Sequence, residues 1–117
     1  MDLISELDAL GVNTKEAIER LNNNSAFYVK MLGKFTAELE NHPVMPYLES
    51  GNYEEAVAHA HTLKGLTGNL SVTPLYTAYT EIVALLRSNE PEKAKKLMAD
   101  TLPIQSEIAA CIEKYKN

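Results

Sequence analysis

The sequence contains no tryptophan, only two phenylalanines and a single cysteine, Cys111, among its 117 residues. One cysteine excludes an internal disulfide and any metal site built from several cysteines. No apolar run approaches the ~18 residues of a membrane span, and the start, MDLISELDALG, lacks the basic and then apolar layout of a signal peptide. We therefore expect a cytoplasmic protein without a membrane partner, whose core consists of aliphatic, methionine and tyrosine side chains.

Positive charge is also scarce. The chain has 11 basic and 16 acidic residues and a net charge of −5, which disfavours nucleic acids and anionic membranes as partners. The hydrophobic share of 45% is ordinary for a globular protein. The length predicts one domain, residues 1–117, since it allows a real core but not two.

Apolar residues recur at spacings of three and four, and no segment shows the sustained alternation of a half-buried strand. Asn13 and Asn52 each stand three residues before a glutamate, the spacing of a capping box. Thr73 is the predicted N-cap of a further helix. The expected helices begin near these points: Asn13, Ser25, Asn52, Thr73 and Pro91. Because the connections are short, we predict an all-α, up-down antiparallel four-helix bundle with a short extra N-terminal helix.

Each predicted helix has an inner face. The third main helix has apolar or small residues at spacings of three and four: Tyr53, Ala56, Ala60, Leu63, Thr67 and Leu70. The last segment continues the pattern with Ala94, Leu97, Thr101, Ile104, Ile108, Cys111 and Tyr115. We interpret these residues, together with Tyr28 and Tyr79, as core. Pro103 is expected to kink the last helix.

The segment AHAHTLKGLTGNL, residues 58–70, has a second face. At about 100° per residue, His61 lies roughly 130° from the middle of the inner face, on the outer flank of the bundle. Lys64, Gly65 and Gly68 share that flank, because residues three, four and seven apart are neighbours on a helix. Each interior glycine costs a helix about 1 kcal/mol relative to alanine, so the pattern calls for a functional explanation.

An open imidazole beside a cation is suited to phosphoryl transfer. A neutral ring nitrogen is nucleophilic near neutral pH, and Lys64 supplies a charge for the transferred oxygens. The two glycines leave room for a second protein. The sequence has no glycine-rich phosphate loop and no acidic cluster suited to Mg²⁺, so another protein would supply the phosphoryl group and its metal.

Simpler interpretations remain open for each residue. A surface histidine or lysine is commonly just a solvated polar side chain, and Gly68 is also consistent with close packing against another helix. His59 and His61 point about 200° apart and cannot chelate one metal. We predict that His59 is partly buried and hydrogen-bonded, that His42 is a turn residue, and that Cys111 packs in the core.

The run HTLKGLTGNL, residues 61–70, resembles the signature of histidine-containing phosphotransfer (HPt) domains. The signature has a histidine, a lysine at +3, a glycine at +4, and then a small residue followed by Asn-Leu. The likeness extends over nearly the whole chain. It implies a four-helix bundle in which His61 is phosphorylated, Lys64 steadies the phosphoryl oxygens and Gly65 keeps the approach open. Gly68 matches a position that is generally small.

One position departs from that pattern. Many members of the family have a glycine ten residues after the histidine, where this chain has Ser71. The position lies at the end of the helix, so we expect an effect on the turn and none on the chemistry. Pro103 is also atypical, but it is far from His61 in the sequence.

The resemblance predicts a phosphorelay intermediate of two-component signal transduction. His61 accepts a phosphoryl group from the aspartyl phosphate of a response-regulator receiver domain and passes it to another receiver. Val57 and Ala58 are expected to join Gly65 and Gly68 in partner binding, and a hybrid histidine kinase is a further possible partner. We expect a monomer that is not an enzyme, with no kinase segment, no metal site and no cofactor, Mg²⁺ being needed only on the receiver.

Two other functions fit the same residues. One is a receiver-binding module that is never phosphorylated, although Lys64 and the open face would then be unnecessary. The other is the phosphoacceptor domain of a chemotaxis-type histidine kinase, phosphorylated by an ATP-binding domain. Since the chain begins at Met1 without such a domain, a stand-alone protein is favoured, although an excised domain would look the same. A purely structural bundle is the third alternative.

Overall fold

Seven α-helices form the regular structure of the residues described by the computed structural model, 2–116, and these residues contain no strand. In chain order the helices are α1 (Leu3–Ala9), α2 (Thr14–Arg20), α3 (Ser25–Asn41), α4 (Met45–Glu49), α5 (Tyr53–Asn69), α6 (Thr73–Arg87) and α7 (Pro91–Lys114). The all-α prediction is confirmed. The predicted domain, 1–117, also includes Met1 and Asn117, which lie outside the described residues.

Helix α5 lies in the middle of the chain and is packed on several sides. It lies along α6, and it also contacts α3 and the short helix α4. Helix α7 packs against α6, α3, α4 and α1. One cluster of buried side chains includes residues from every helix, so α5 is fixed by a common core.

The predicted helix starts are largely confirmed. The side chains of Asn13 and Asn52 accept hydrogen bonds from the backbone N–H groups three residues on, at 3.2 and 3.3 Å. The prediction for Thr73 is wrong by one residue. Helix α6 has Val72 as its N-cap, and an apolar side chain gives no cap; the Thr73 hydroxyl donates to the Ser71 carbonyl. One short N-terminal helix was predicted, beginning at Asn13, and the structure has two, α1 and α2.

The inner face of α5 is buried as predicted from Ala56 to Thr67, and Leu70 just beyond the helix is buried too. Tyr53, however, is 37% exposed, because it is the first residue of the helix. Tyr28 and Tyr79 are buried, and burial raises the pKa of both hydroxyls. The Tyr28 hydroxyl donates to the Leu70 carbonyl at 2.8 Å, which attaches α3 to the end of α5.

Helix α7 differs from the prediction in its middle. It continues through Pro103, and Ile104, expected in the core, is 46% exposed. The partly buried residue next to it is Gln105, whose side-chain oxygen accepts the hydrogen bond of the buried Tyr79 hydroxyl. Tyr115 was also expected in the core but is 37% exposed, because it lies just after the last residue of the helix.

The two histidines outside the candidate site contact each other. His42 ends α3 and His59 lies on α5, and their Nδ1 atoms are 2.9 Å apart. The ring of Tyr47 stacks on His59, and Glu55 lies 3.4 Å from the His59 Nε2 atom. The predicted turn position of His42 and the partly buried, hydrogen-bonded state of His59 are confirmed.

The turn that follows α5 is held by helix α2. The Arg20 guanidinium donates to the carbonyls of Gly68 and Asn69, at 3.3 and 3.4 Å, and to the Ser71 hydroxyl. The Ser71 hydroxyl in turn donates to Glu16 at 2.7 Å. The last carbonyls of a helix have no hydrogen-bond partner within the helix and carry partial negative charge. A guanidinium at this end donates hydrogen bonds to these carbonyls and also offsets their charge.

Ser71 itself has a left-handed backbone, with φ +53°, and is buried. Glycine, which the family resemblance leads us to expect here, suits this conformation better than residues with a Cβ atom. The serine compensates through its hydroxyl, because the bonds to Glu16 and Arg20 join α2 to the turn. These bonds explain how a serine is accommodated at a left-handed position.

Replacing Ser71 by alanine and by glycine separates these two effects. Both variants lose the hydroxyl bonds, but glycine also relieves the left-handed backbone, which costs other residues about 1 kcal/mol. We expect the free energy of unfolding, measured in urea, to fall in Ser71→Ala and to be about 1 kcal/mol higher in Ser71→Gly than in Ser71→Ala. An alanine variant as stable as the glycine variant would show that the backbone cost is absent.

Candidate functional site

His61 lies in the middle of α5 with its ring exposed to solvent. Its neighbours Ala60 and Leu63 are buried in the core, and helical geometry therefore turns His61 away from it. Within residues 2–116 no group forms a hydrogen bond or ion pair with the imidazole. The ring is therefore accessible, and both nitrogens are available to solvent or a partner.

A cleft of about 580 Å³ opens beside His61. Its lining brings together four of the six residues predicted for the site, and it adds residues from α2, α6 and the turn between α5 and α6. The lining residues are His61, Lys64, Gly65, Thr67, Gly68 and Asn69 of α5 with Asn13, Glu16, Ser71, Thr73 and Tyr76.

Val57 and Ala58 do not line this cleft. Val57 is half-buried and packs against the core, whereas Ala58 is exposed. Both lie about one turn before His61 on α5, so they border the histidine on the side away from the cleft.

The charged side chains of the cleft differ in whether they already have a partner. Lys64 is partly exposed, and its ammonium group has no ion-pair partner within the part of the chain that is described. The one carboxylate in the lining, Glu16, is already engaged, because it accepts from Arg20 at 3.2 Å and from Ser71 at 2.7 Å. The free charge next to His61 is therefore positive, which favours an anionic group there.

The two glycines of α5 have different surroundings. A Cβ atom added at Gly65 would have no atom within 4 Å. A Cβ atom added at Gly68 would lie 3.0 Å from Cε1 and 3.1 Å from Cδ1 of Tyr76. Gly65 therefore leaves open space beside His61, whereas Gly68 lets an aromatic ring from α6 lie directly on the α5 backbone.

Sequence reasoning missed the contributions of α2 and α6 to the cleft. Asn13 was identified only as a helix start, and Glu16 only as its capping partner. Tyr76 was not singled out. Nothing in the local periodicity indicates these residues, because each comes close to α5 only through the packing of separate helices.

The described residues lack a metal-binding cluster and a membrane-spanning helix. No cluster of three or more His, Cys, Asp or Glu side chains among residues 2–116 is placed to hold a metal ion. No described helix is both long and apolar enough to cross a membrane. The lining of the cleft offers an imidazole, an ammonium group, a carboxylate, amides and hydroxyls.

Comparison with known proteins found no family model, no curated protein and no solved structure that matches the chain. The resemblance of residues 61–70 to HPt domains thus stays a prediction.

Replacing each glycine of α5 by alanine tests whether there is room for a side chain at that position. Alanine at an interior helix position gains about 1 kcal/mol of stability over glycine. We expect Gly65→Ala to show that gain in urea unfolding, because the new Cβ atom meets nothing. Gly68→Ala should gain less or lose stability, because Tyr76 has to move. Equal gains would contradict the close Gly68–Tyr76 contact.

Proposed function

We propose that the protein is a phosphorelay intermediate of the HPt type, in which His61 carries a phosphoryl group between receiver domains. One observation carries the proposal: an exposed imidazole without an internal hydrogen bond borders an open cleft beside the unpaired ammonium group of Lys64. A histidine that served only packing or stability would make contacts of the kind that His59 makes with His42 and Glu55.

The transfer step follows from imidazole chemistry. The lone pair of the unprotonated ring nitrogen attacks the phosphorus of the aspartyl phosphate, and an N–P bond forms. The P–O bond to the aspartate breaks, and the carboxylate leaves with the electron pair. The second ring nitrogen keeps its proton. The reverse sequence delivers the phosphoryl group to an aspartate of another receiver, so the protein ends unchanged.

Lys64 and Gly65 support this step in different ways. Residues three apart on a helix are surface neighbours, so the Lys64 ammonium group can stabilise the charge on the transferred oxygens. Gly65 has no neighbouring atom where its side chain would be, which leaves room for the receiver's reactive loop. Val57 and Ala58, one turn before His61, would continue the docking surface.

The proposed function also includes the fold around the site, the compartment and the partners. The four long helices, α3, α5, α6 and α7, would form an up-down bundle, with the N-terminal segment as an addition to it. The protein would act in the cytoplasm as a monomer and transfer phosphoryl groups stoichiometrically without being an enzyme. Mg²⁺ would be bound by the receiver, and a hybrid histidine kinase would supply the phosphoryl group.

Labelling by a phosphorylated receiver tests the proposal. We expect transfer of one phosphoryl group per chain to the wild-type protein, as an acid-labile and base-stable phosphate, and no transfer to His61→Ala. The matched control is His59→Ala, which removes the other histidine of α5 and should still be labelled. Circular dichroism would check that both variants fold. Equal labelling of His61→Ala would overturn the assignment.

Lys64→Ala tests the role of the cation. Because Lys64 has no ion-pair partner among the described residues, its removal should leave stability nearly unchanged. We expect the rate of transfer from the receiver to fall about tenfold or more, since a group that stabilises developing charge is lost. Lys96→Ala, an exposed lysine of α7, is the control. A Lys64→Ala rate equal to that control would contradict the role.

A further inference from the structure

The cleft is larger than phosphoryl transfer requires. Its volume, about 580 Å³, is in the range of pockets that bury whole ligands, whereas a phosphoryl group is a few atoms. His61, Lys64 and Gly65 line one end. Gly68 lies seven residues after His61, about 10 Å further along the helix axis at 1.5 Å per residue. The far end of the cleft is therefore available to a group other than the transferred one.

Tyr76 is the aromatic residue of that far end. It is 40% exposed, and its ring lies against the bare backbone of Gly68. The hydroxyls of the buried Tyr28 and Tyr79 bond to Leu70 and Gln105, but the Tyr76 hydroxyl has no partner within the described residues. An exposed aromatic ring that is already held in place loses little freedom on binding, and such residues dominate many interfaces.

Asn13, the N-cap of α2, adds polar groups at the same end, because its backbone N–H donates to the Ser71 carbonyl at 2.9 Å. Its side-chain oxygen accepts the hydrogen bond from the Glu16 backbone, which leaves the two amide hydrogens without a partner within residues 2–116. The far end thus presents an aromatic ring, a free hydroxyl and free amide donors on one side of the cleft.

A receiver docked on His61 would cover this end as well. Stable protein interfaces bury about 800 Å² on each partner, and a patch of that size extends well beyond 10 Å from its centre. The two ends also belong to one continuous cleft on one side of α5. The occupant that best fits the far end is therefore the same domain that reaches His61.

We propose that Tyr76 and Asn13 form a selectivity surface that distinguishes among receiver domains. This inference rests on the proposed function. Tyr76 lies beside Gly68 and Asn13 bonds to Ser71, both at the end of α5 away from His61, so they would change the binding of the receiver without changing the chemistry at His61. Receivers that offer an acceptor to Asn13 and a flat surface to Tyr76 would be preferred.

The test compares two phosphoryl donors. Phosphoramidate is a small molecule that needs no docking surface, whereas phosphorylated receivers do. We expect Tyr76→Ala to lower the initial rate of labelling by a receiver about tenfold, the effect of truncating an interface aromatic, by different factors for different receivers. Labelling by phosphoramidate should stay unchanged. Ile104→Ala, a large apolar residue of α7 with 46% exposure outside the cleft, is the control and should leave both rates unchanged.

A second variant examines Asn13 without removing the helix cap. Asn13→Asp keeps an oxygen for the Glu16 N–H but replaces the amide donors by an acceptor. It should slow labelling by receivers and leave labelling by phosphoramidate unchanged.

The inference is overturned if Tyr76→Ala and Asn13→Asp match the wild type with every receiver tested, or if they slow both donors equally. If neither donor labels the wild type on His61, the proposed function itself fails, which is a different result from a failure of selectivity alone.

Discussion

The contact between Arg20 and the end of α5 is the interaction on which the site depends. Helix α5 contains Gly65 in its interior, at a cost of about 1 kcal/mol relative to alanine, and Gly68 as its second-last residue, and it has to remain helical while one face stays open. Two other sets of contacts compensate for the stability that the glycines cost. The buried face of α5 packs in the core, and its C-terminal carbonyls accept hydrogen bonds from Arg20. The open face is therefore stabilised by contacts made elsewhere on the helix.

This arrangement gives the N-terminal segment two roles. Helix α2 holds the turn after α5 through Arg20, Glu16 and the left-handed Ser71, and it also lines the cleft with Asn13 and Glu16. The N-terminal segment, predicted only as an addition to the bundle, thus contributes residues to the site. Because Glu16 is bound to Arg20 and Ser71, its negative charge is compensated and Lys64 remains the free charge near His61.

The features of the site that depend on one helix alone could be predicted from the sequence. The spacing within α5 was enough to place His61, Lys64, Gly65 and Gly68 on one face, because a helix fixes which residues are neighbours. It was not enough to separate the two glycines: the ring of Tyr76 reaches Gly68 only through the packing of α6 on α5. The exposure of Tyr53 and Ile104 and the pairing of His42 with His59 escaped prediction for the same reason, since each depends on where a separate helix begins, ends or turns.

The most direct measurement follows one labelled phosphoryl group through a mixture of a phosphorylated receiver, this protein and a second, unphosphorylated receiver. We expect the label to leave the first receiver, to reside transiently on His61 as an acid-labile phosphate, and to arrive on the second receiver. Transfer between receivers that needs no His61, or a label on any other residue of this chain, would contradict the proposed role of His61.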